Sequence, residues 1–334
     1  MRTLLPILLL PLLLLPTPAL ARKVKPLDGV LLELGRDDEN TIRTQIWDAS
    51  DGPRVFFEPF TCTCKPGDPL VVMLKNDKPF FGVGTNRDLG TLFRDALRAE
   101  AATLGMRTAR DREGADWVVT GNIDEIEMSL KPIPFGPILY YSHVRLTLKV
   151  AGEGQDAGGH ALGLHNLHWR YNGGFGIKDE SQEALAHLVV ESSQEILAYL
   201  ARLARLPATG AVDTALSAVS AYGVNGREVE VRKVGLSGDR KLAQDLVAVL
   251  PRLKEEDERF EVYEALANLR EPAVVPELIR WYDREDDDGR YFILKALAYI
   301  GGDEAREFLQ ERSLRDPEKG CRKLAERALA DAKL

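Results

Sequence analysis

Cysteine and histidine are scarce in this 334-residue chain, and each scarcity removes a class of chemistry. The three cysteines, Cys62, Cys64 and Cys321, are too few for a disulfide-built scaffold. Their odd number leaves at least one thiol unpaired or shared between chains. No Cys-x-x-Cys motif is present to lower a thiol pKa. Cys62 and Cys64 stand two residues apart, where an extended strand spaces Cα atoms by ~6.6 Å, at the edge of bridgeable geometry. A disulfide between them needs a turn, and would act as a loop clip or as a strained, reducible pair. Two buried thiols are the remaining alternative.

The five histidines form no His-Glu-x-x-His pair, and no Ser-His-Asp order or Walker-type loop occurs. Basic blocks are missing as well. A net charge of −8 argues against nucleic acid or anionic lipid as a main partner. "GVGTNRDLG", Gly82 to Gly90, lacks the G-x-G-x-x-G spacing and reads as a strand-to-helix turn. "DREDDDGR" fails as an EF-hand, because setting Gly289 sixth puts Arg284 first and Lys295 twelfth, where carboxylates are required. It reads better as an acidic cap on the following helix. No catalytic residue, cofactor or metal site is assigned, and the chain is expected not to be an enzyme.

A long apolar run occurs once, in "MRTLLPILLLPLLLLPTPALARKV". Arg2 precedes the run from Leu4 to Leu15, and Ala19-Leu20-Ala21 has the small-x-small pattern of a cleavage site. The run is short and broken by Pro6 and Pro11, so residues 1–21 read as a signal peptide cut after Ala21. No later stretch is long enough to span a bilayer, and no cysteine follows the cut to carry a lipid. The mature chain is expected to be periplasmic or secreted, without a transmembrane segment or lipid anchor. Residues 22–53 read as an N-terminal extension.

From residue 54 to 207, strand and helix patterns alternate. "RVFFEPF" and "PLVVML" are short β-rich runs. "DLGTLFRDALRAEAATLG" places Leu89, Phe93, Leu97, Ala101 and Leu104 on one helical face, with Asp88 or Thr91 as cap and Gly105 as stop. "ADWVVTGNIDEIEM" changes apolar parity between Ile123 and Ile126, which predicts a bulge. "HVRLTLKV" alternates cleanly, with Val144, Leu146, Leu148 and Val150 on one face. "DESQEALAHLVVESSQEILAYLARLARLP" reads as a long helix. This order predicts an antiparallel or mixed sheet with helices packed on one face.

The helix ending in Gly105, followed by Gly114, Ala115, Asp116, Trp117, Val118, Val119 and Gly121, resembles a module of bacterial envelope accessory proteins. These include the lipopolysaccharide-assembly lipoprotein, penicillin-binding-protein activators and curli-secretion proteins. The resemblance implies binding or assembly of envelope components and no catalysis. The motif describes a fold turn, and the chain departs from many relatives in lacking the lipid-attachment cysteine.

Residues 208–227, rich in Ala, Gly and Ser, read as a linker. Beyond them the chain repeats: "RFEVYEALANLREP" from Arg259 returns as "RYFILKALAYIGGD" from Arg290, and "CRKLAERALADAKL" starts a third copy at Cys321. Each copy reads as two helices joined by a short turn, the period of an α-solenoid. Residues 228–334 resemble HEAT-like repeats, which implies protein partners on an extended surface. Bracing of the α/β domain is the plainer role. Arg280, Trp281, Tyr282, Arg290 and Tyr291 supply residue types enriched at interfaces, although Trp281 and Tyr291 suit inter-repeat packing equally.

The predicted class is thus α+β, a sheet domain followed by a short all-α solenoid. The expected function is a non-catalytic exported adaptor or assembly factor that binds envelope proteins. The alternative is a metal-binding protein built on "HALGLHNLHW". There, a bulge near Asn166 and pairing of Val150 near His160 would gather His143, His165 and His168 on an outward face, leaving His160 out. Three imidazoles could hold zinc or copper, or form a solvated face titrating near pH 6.5.

Overall fold

The computed structural model describes residues 42–62, 64, 71–75, 78–83, 88–132, 138–152, 159–170 and 177–331. The expected signal peptide and its cleavage point lie outside the described residues. Three short strands, β1 (Val55–Phe57), β2 (Thr61–Cys62) and β3 (Val71–Lys75), follow one another along the same edge of a longer strand. β4 (Lys78–Val83) pairs antiparallel with β3. The longer strand is β5 (Trp117–Pro132), parallel to the first three and antiparallel to β6 (Ile138–Gly152). β7 (Gly159–Arg170) closes the order β4-β3-β5-β6-β7 as an edge. The sheet is mixed. The parity change in β5 is a register shift between Ile123 and Glu125, which keeps Ile123 and Met128 both buried.

Helices α1 (Leu89–Leu104) and α2 (Ile177–Leu203) pack on one face of this sheet. Leu92, Phe93 and Leu97 of α1 share a core with Val144, Leu146, Leu148 and Val150 of β6. Asp88 caps α1 by accepting a hydrogen bond from the Thr91 N–H at 2.8 Å, and Gly105 ends it at φ 100°. Gly90 is dictated by a chain crossing: a Cβ there would lie 1.6 Å from the Phe60 carbonyl oxygen. The Asp116 carboxylate accepts from the Arg54 backbone N–H at 2.8 Å and from its guanidinium at 3.1 Å. This ties β1 to the start of β5. The Gly-Ala-Asp-Trp turn is therefore structural.

Where composition predicts a linker, the structure has α3 (Gly210–Tyr222), with Val212, Ala215 and Val219 buried. Its Gly and Ser residues resemble a linker, while the small apolar residues at helical spacing supply a packing stripe. Next come α4 (Glu228–Leu236), α5 (Ala243–Val249), α6 (Glu256–Leu269), α7 (Val275–Tyr282), α8 (Asp287–Ile300), α9 (Asp303–Arg315) and α10 (Lys319–Asp331). Helices α4, α6, α8 and α10 stack as an inner row, with α5, α7 and α9 outside. The 31-residue repeat brings equivalent positions together: Lys295 of α8 donates to Glu264 of α6 at 2.6 Å. Glu285 and Asp316, each just before an inner helix, accept from Tyr263 of α6 and Tyr282 of α7. Asp286 caps α8 by accepting from the Gly289 N–H at 2.8 Å. The acidic run is a helix start.

The inner row does not stand free. Helices α8 and α10 lie on β7, and α10 covers the sheet face opposite α1 and α2. The N-terminal extension also enters the fold. Ile42, Ile46 and Trp47 are buried, and the Trp47 indole donates to the Ser237 carbonyl at 3.2 Å. Ile46 accepts from the Thr209 N–H at 3.0 Å, so residues 42–50 strap the sheet domain to the solenoid. Among the described residues, no helix is long and apolar enough to cross a membrane.

Candidate functional site

Helix α10 meets the sheet through charges spaced every fourth residue, which helical periodicity places on one stripe. Lys323 donates to Glu127 at 2.8 Å, Arg327 pairs with the same carboxylate, and Asp331 ends the stripe. Asp331 Oδ2 lies 3.2 Å from His143 Nε2 and 3.6 Å from His165 Nε2. The two imidazoles face each other across β6 and β7, stacked at 4.7 Å. Gly163 makes room for the carboxylate, since a Cβ there would lie 2.1 Å from Asp331 Oδ2. His143 and His165 are 1% and 2% exposed, so the pair is covered by α10 and does not face outward.

Burial pulls His165 down to about 4, against the opposing hydrogen bond from Asp331. Burial would raise Asp331, but hydrogen bonds to both histidines outweigh it and hold the carboxyl well below its ordinary range. At neutral pH a neutral His165 thus faces a carboxylate. The three ligand atoms lie within 4.8 Å of one another, and tetrahedral zinc needs separations of ~3.3 Å. The 4.8 Å limit is wider than that, so an ion would have to draw the three atoms together. The surroundings also fit poorly, because His143 Nδ1 is buried without a hydrogen-bond partner, whereas metal-bound histidines normally donate from that nitrogen.

A buried ionic chain adjoins this cluster. Lys295, 1% exposed, sits 3.1 Å from Glu195 of α2 and 2.6 Å from Glu264. The Tyr299 hydroxyl donates to Glu195 at 2.8 Å and accepts the outward N–H of His165 at 3.0 Å. The edge strand is thereby capped by a side chain of the solenoid. Nearby, burial pushes Glu261 up to about 7, with Arg232 opposing and Glu264 adding to the rise.

The residues singled out from sequence divide clearly. His143 and His165 meet. His168 stands opposite Tyr140 in a β6–β7 register without the bulge at Asn166 on which its joining them depended. His160 instead pairs through Nδ1 with the Tyr199 hydroxyl at 2.8 Å. Cys62 and Cys64 form a disulfide with Cα atoms 5.1 Å apart, and Cys321 is a buried free thiol. Tyr282 and Tyr291 are buried: Tyr282 bonds Asp316, and Tyr291 packs edge-on against Tyr141 at 5.6 Å. Arg290 turns to Asp287 and the Glu285 carbonyl. All three are engaged in contacts within the chain. Arg280 is exposed on α7, and half-buried Trp281 lies beneath the Arg284 guanidinium at 5.1 Å.

Together these features define a sheet domain whose second face and open edge are closed by an α-solenoid. Residues 235–330 match the family model of HEAT repeats. Such arrays commonly serve as protein-interaction modules, and the match suggests that role for the C-terminal part. A crystal structure of a Xanthomonas campestris protein assigned to the DUF330 family is similar at 11% identity and a TM-score of 0.33. It covers 47% of this chain and 90% of that one. No curated protein matches the chain.

Proposed function

We propose that the chain is an exported, non-catalytic adaptor that binds protein partners of the cell envelope through the outer row of its solenoid. The surface on α7 carries this reading. The inner row faces the sheet domain, α4 on α2 and α8 and α10 on β7, while Arg280, Trp281 and Arg284 present a stacked indole and two guanidiniums outward. The leader-like residues 2–21 and the turn at Gly114–Gly121 support an envelope setting. In crosslinked envelopes, the Arg280→Glu, Trp281→Ala, Arg284→Glu variant should recover partners at least about tenfold less than wild type, with its melting temperature held. The mature chain in the periplasmic fraction should begin at Arg22. An unchanged set of partners would remove the α7 reading.

A second reading rests on the gathering of His143, His165 and Asp331 in one buried cluster. It predicts about one zinc or copper per chain after purification from an unmanipulated periplasm, reduced by Asp331→Asn. Metal content well below one per chain, and indifferent to that substitution, would eliminate it.

A further inference from the structure

A cleft of ≈ 870 Å³ opens where the end of α2, the turn before α5, and the ends of α6 and α8 meet. In a chain of net charge −8, its walls carry five cations, Arg202, Arg205, Arg240, Lys241 and Arg270, against one carboxylate, Asp239. Asp239 is occupied locally, accepting from the Lys241 N–H at 3.1 Å. Among the described residues, none of the five cations has a carboxylate within ion-pair distance. Glu195 lies deeper and is engaged by Lys295 and Tyr299.

Unpaired guanidiniums held close together are costly unless something negative joins them. Arg202 donates only to the Asn268 carbonyl, at 2.6 Å. Burial, then the neighbouring Arg270 and Arg240, draw its pKa down to about 9. Arg270 stacks over Tyr299 at 5.2 Å and Tyr199 at 5.7 Å, and its Nε is buried without a hydrogen-bond partner. The backbone supplies an independent sign. Among the described residues, the two non-glycine residues with positive φ are Arg205 at 52° and Arg270 at 54°, and both line this cleft. Arg270 ends α6 in a left-handed position where glycine is the unstrained choice. Backbone strain of this kind gathers at ligand clamps.

We propose that this cleft binds a small polyanion carrying two or more phosphate or carboxylate groups. The planar guanidiniums suit two-point contact with either group, and the Tyr faces hold them in place before the ligand arrives. The site is separate from the α7 surface, so its existence does not depend on the adaptor reading.

The test is isothermal titration of the mature chain with sodium pyrophosphate and with citrate, against sodium chloride at matched ionic strength. Saturable one-to-one binding of at least one polyanion is expected, and the tighter of the two identifies phosphate or carboxylate as the preferred group. The double variant Arg240→Gln, Lys241→Gln alters two exposed side chains and should weaken binding at least about tenfold. Arg270→Gly should weaken it similarly while keeping the melting temperature, because glycine suits the left-handed backbone. Were Arg270→Gly to fold poorly, the double variant would decide alone. Binding no tighter than that of chloride, or unaffected by the double variant, would overturn the proposal.

Discussion

Replacing Lys295 with methionine is expected to lower the unfolding free energy by about 3–5 kcal/mol, read from urea denaturation. The cost arises from what the lysine leaves behind. Glu195 and Glu264 converge on its ammonium, and Glu195 is buried where α2, α6 and α8 meet. Burial already raises Glu195 above its ordinary carboxylate range, with the Lys295 charge opposing the rise. Without that charge, Glu195 must take up a proton or the solenoid must shift to admit water. Adding Glu195→Gln should restore most of the loss, because the neutral amide can still accept from Tyr299. A single-variant loss below about 1 kcal/mol would show that the junction is wet and the ions are hydrated.

Trp47→Ala is the second large effect, expected at about 3–5 kcal/mol for a fully buried indole. Trp47 is 1% exposed and sits in the strap whose partners are Leu104, Thr209 and Ser237. Trp47→Phe keeps most of the apolar contact but orphans the Ser237 carbonyl, and should cost about 1–2 kcal/mol. The graded pair separates packing from hydrogen bonding. A cost under about 1 kcal/mol for the alanine variant would return residues 42–53 to the status of a loose extension.

Much of the fold is legible in the sequence because its causes are local. Alternation in "HVRLTLKV", the bulge after Ile123, the Asp88 cap and the 31-residue repeat each follow from neighbours in the chain. The misses are contacts between distant residues. Pairing Val150 near His160 is two residues off the actual register, in which Leu148 faces His160 and His143 faces His165. A two-residue slip preserves the face, so those two histidines were recoverable, while His168 required a bulge that is absent. Asp331 was missed, although the sequence carries a sign. At the 31-residue shift, Lys323, Arg327 and Asp331 fall where the previous unit has Phe292, Ala296 and Ile300. Charges in place of apolar residues on a repeat helix show that it packs against something other than another repeat. The cationic cleft is less legible still, because its arginines come from three separate segments.

The closing contacts also set an order of events while the chain is being made. Trp47 waits 190 residues for Ser237, Glu127 waits 200 for Arg327, and His143 waits 188 for Asp331. At about 5–20 residues per second, that is roughly 10–40 seconds before these three contacts can form. Until Tyr299 of α8 has been made, the β7 edge is a template for pairing with another chain. A product ending before α8 would keep that edge open, and one ending before α10 would leave the His143–His165 face uncovered. Arrival of α8 and then of α10 removes first the exposed edge and then the open face, features that proteases and chaperones can recognise.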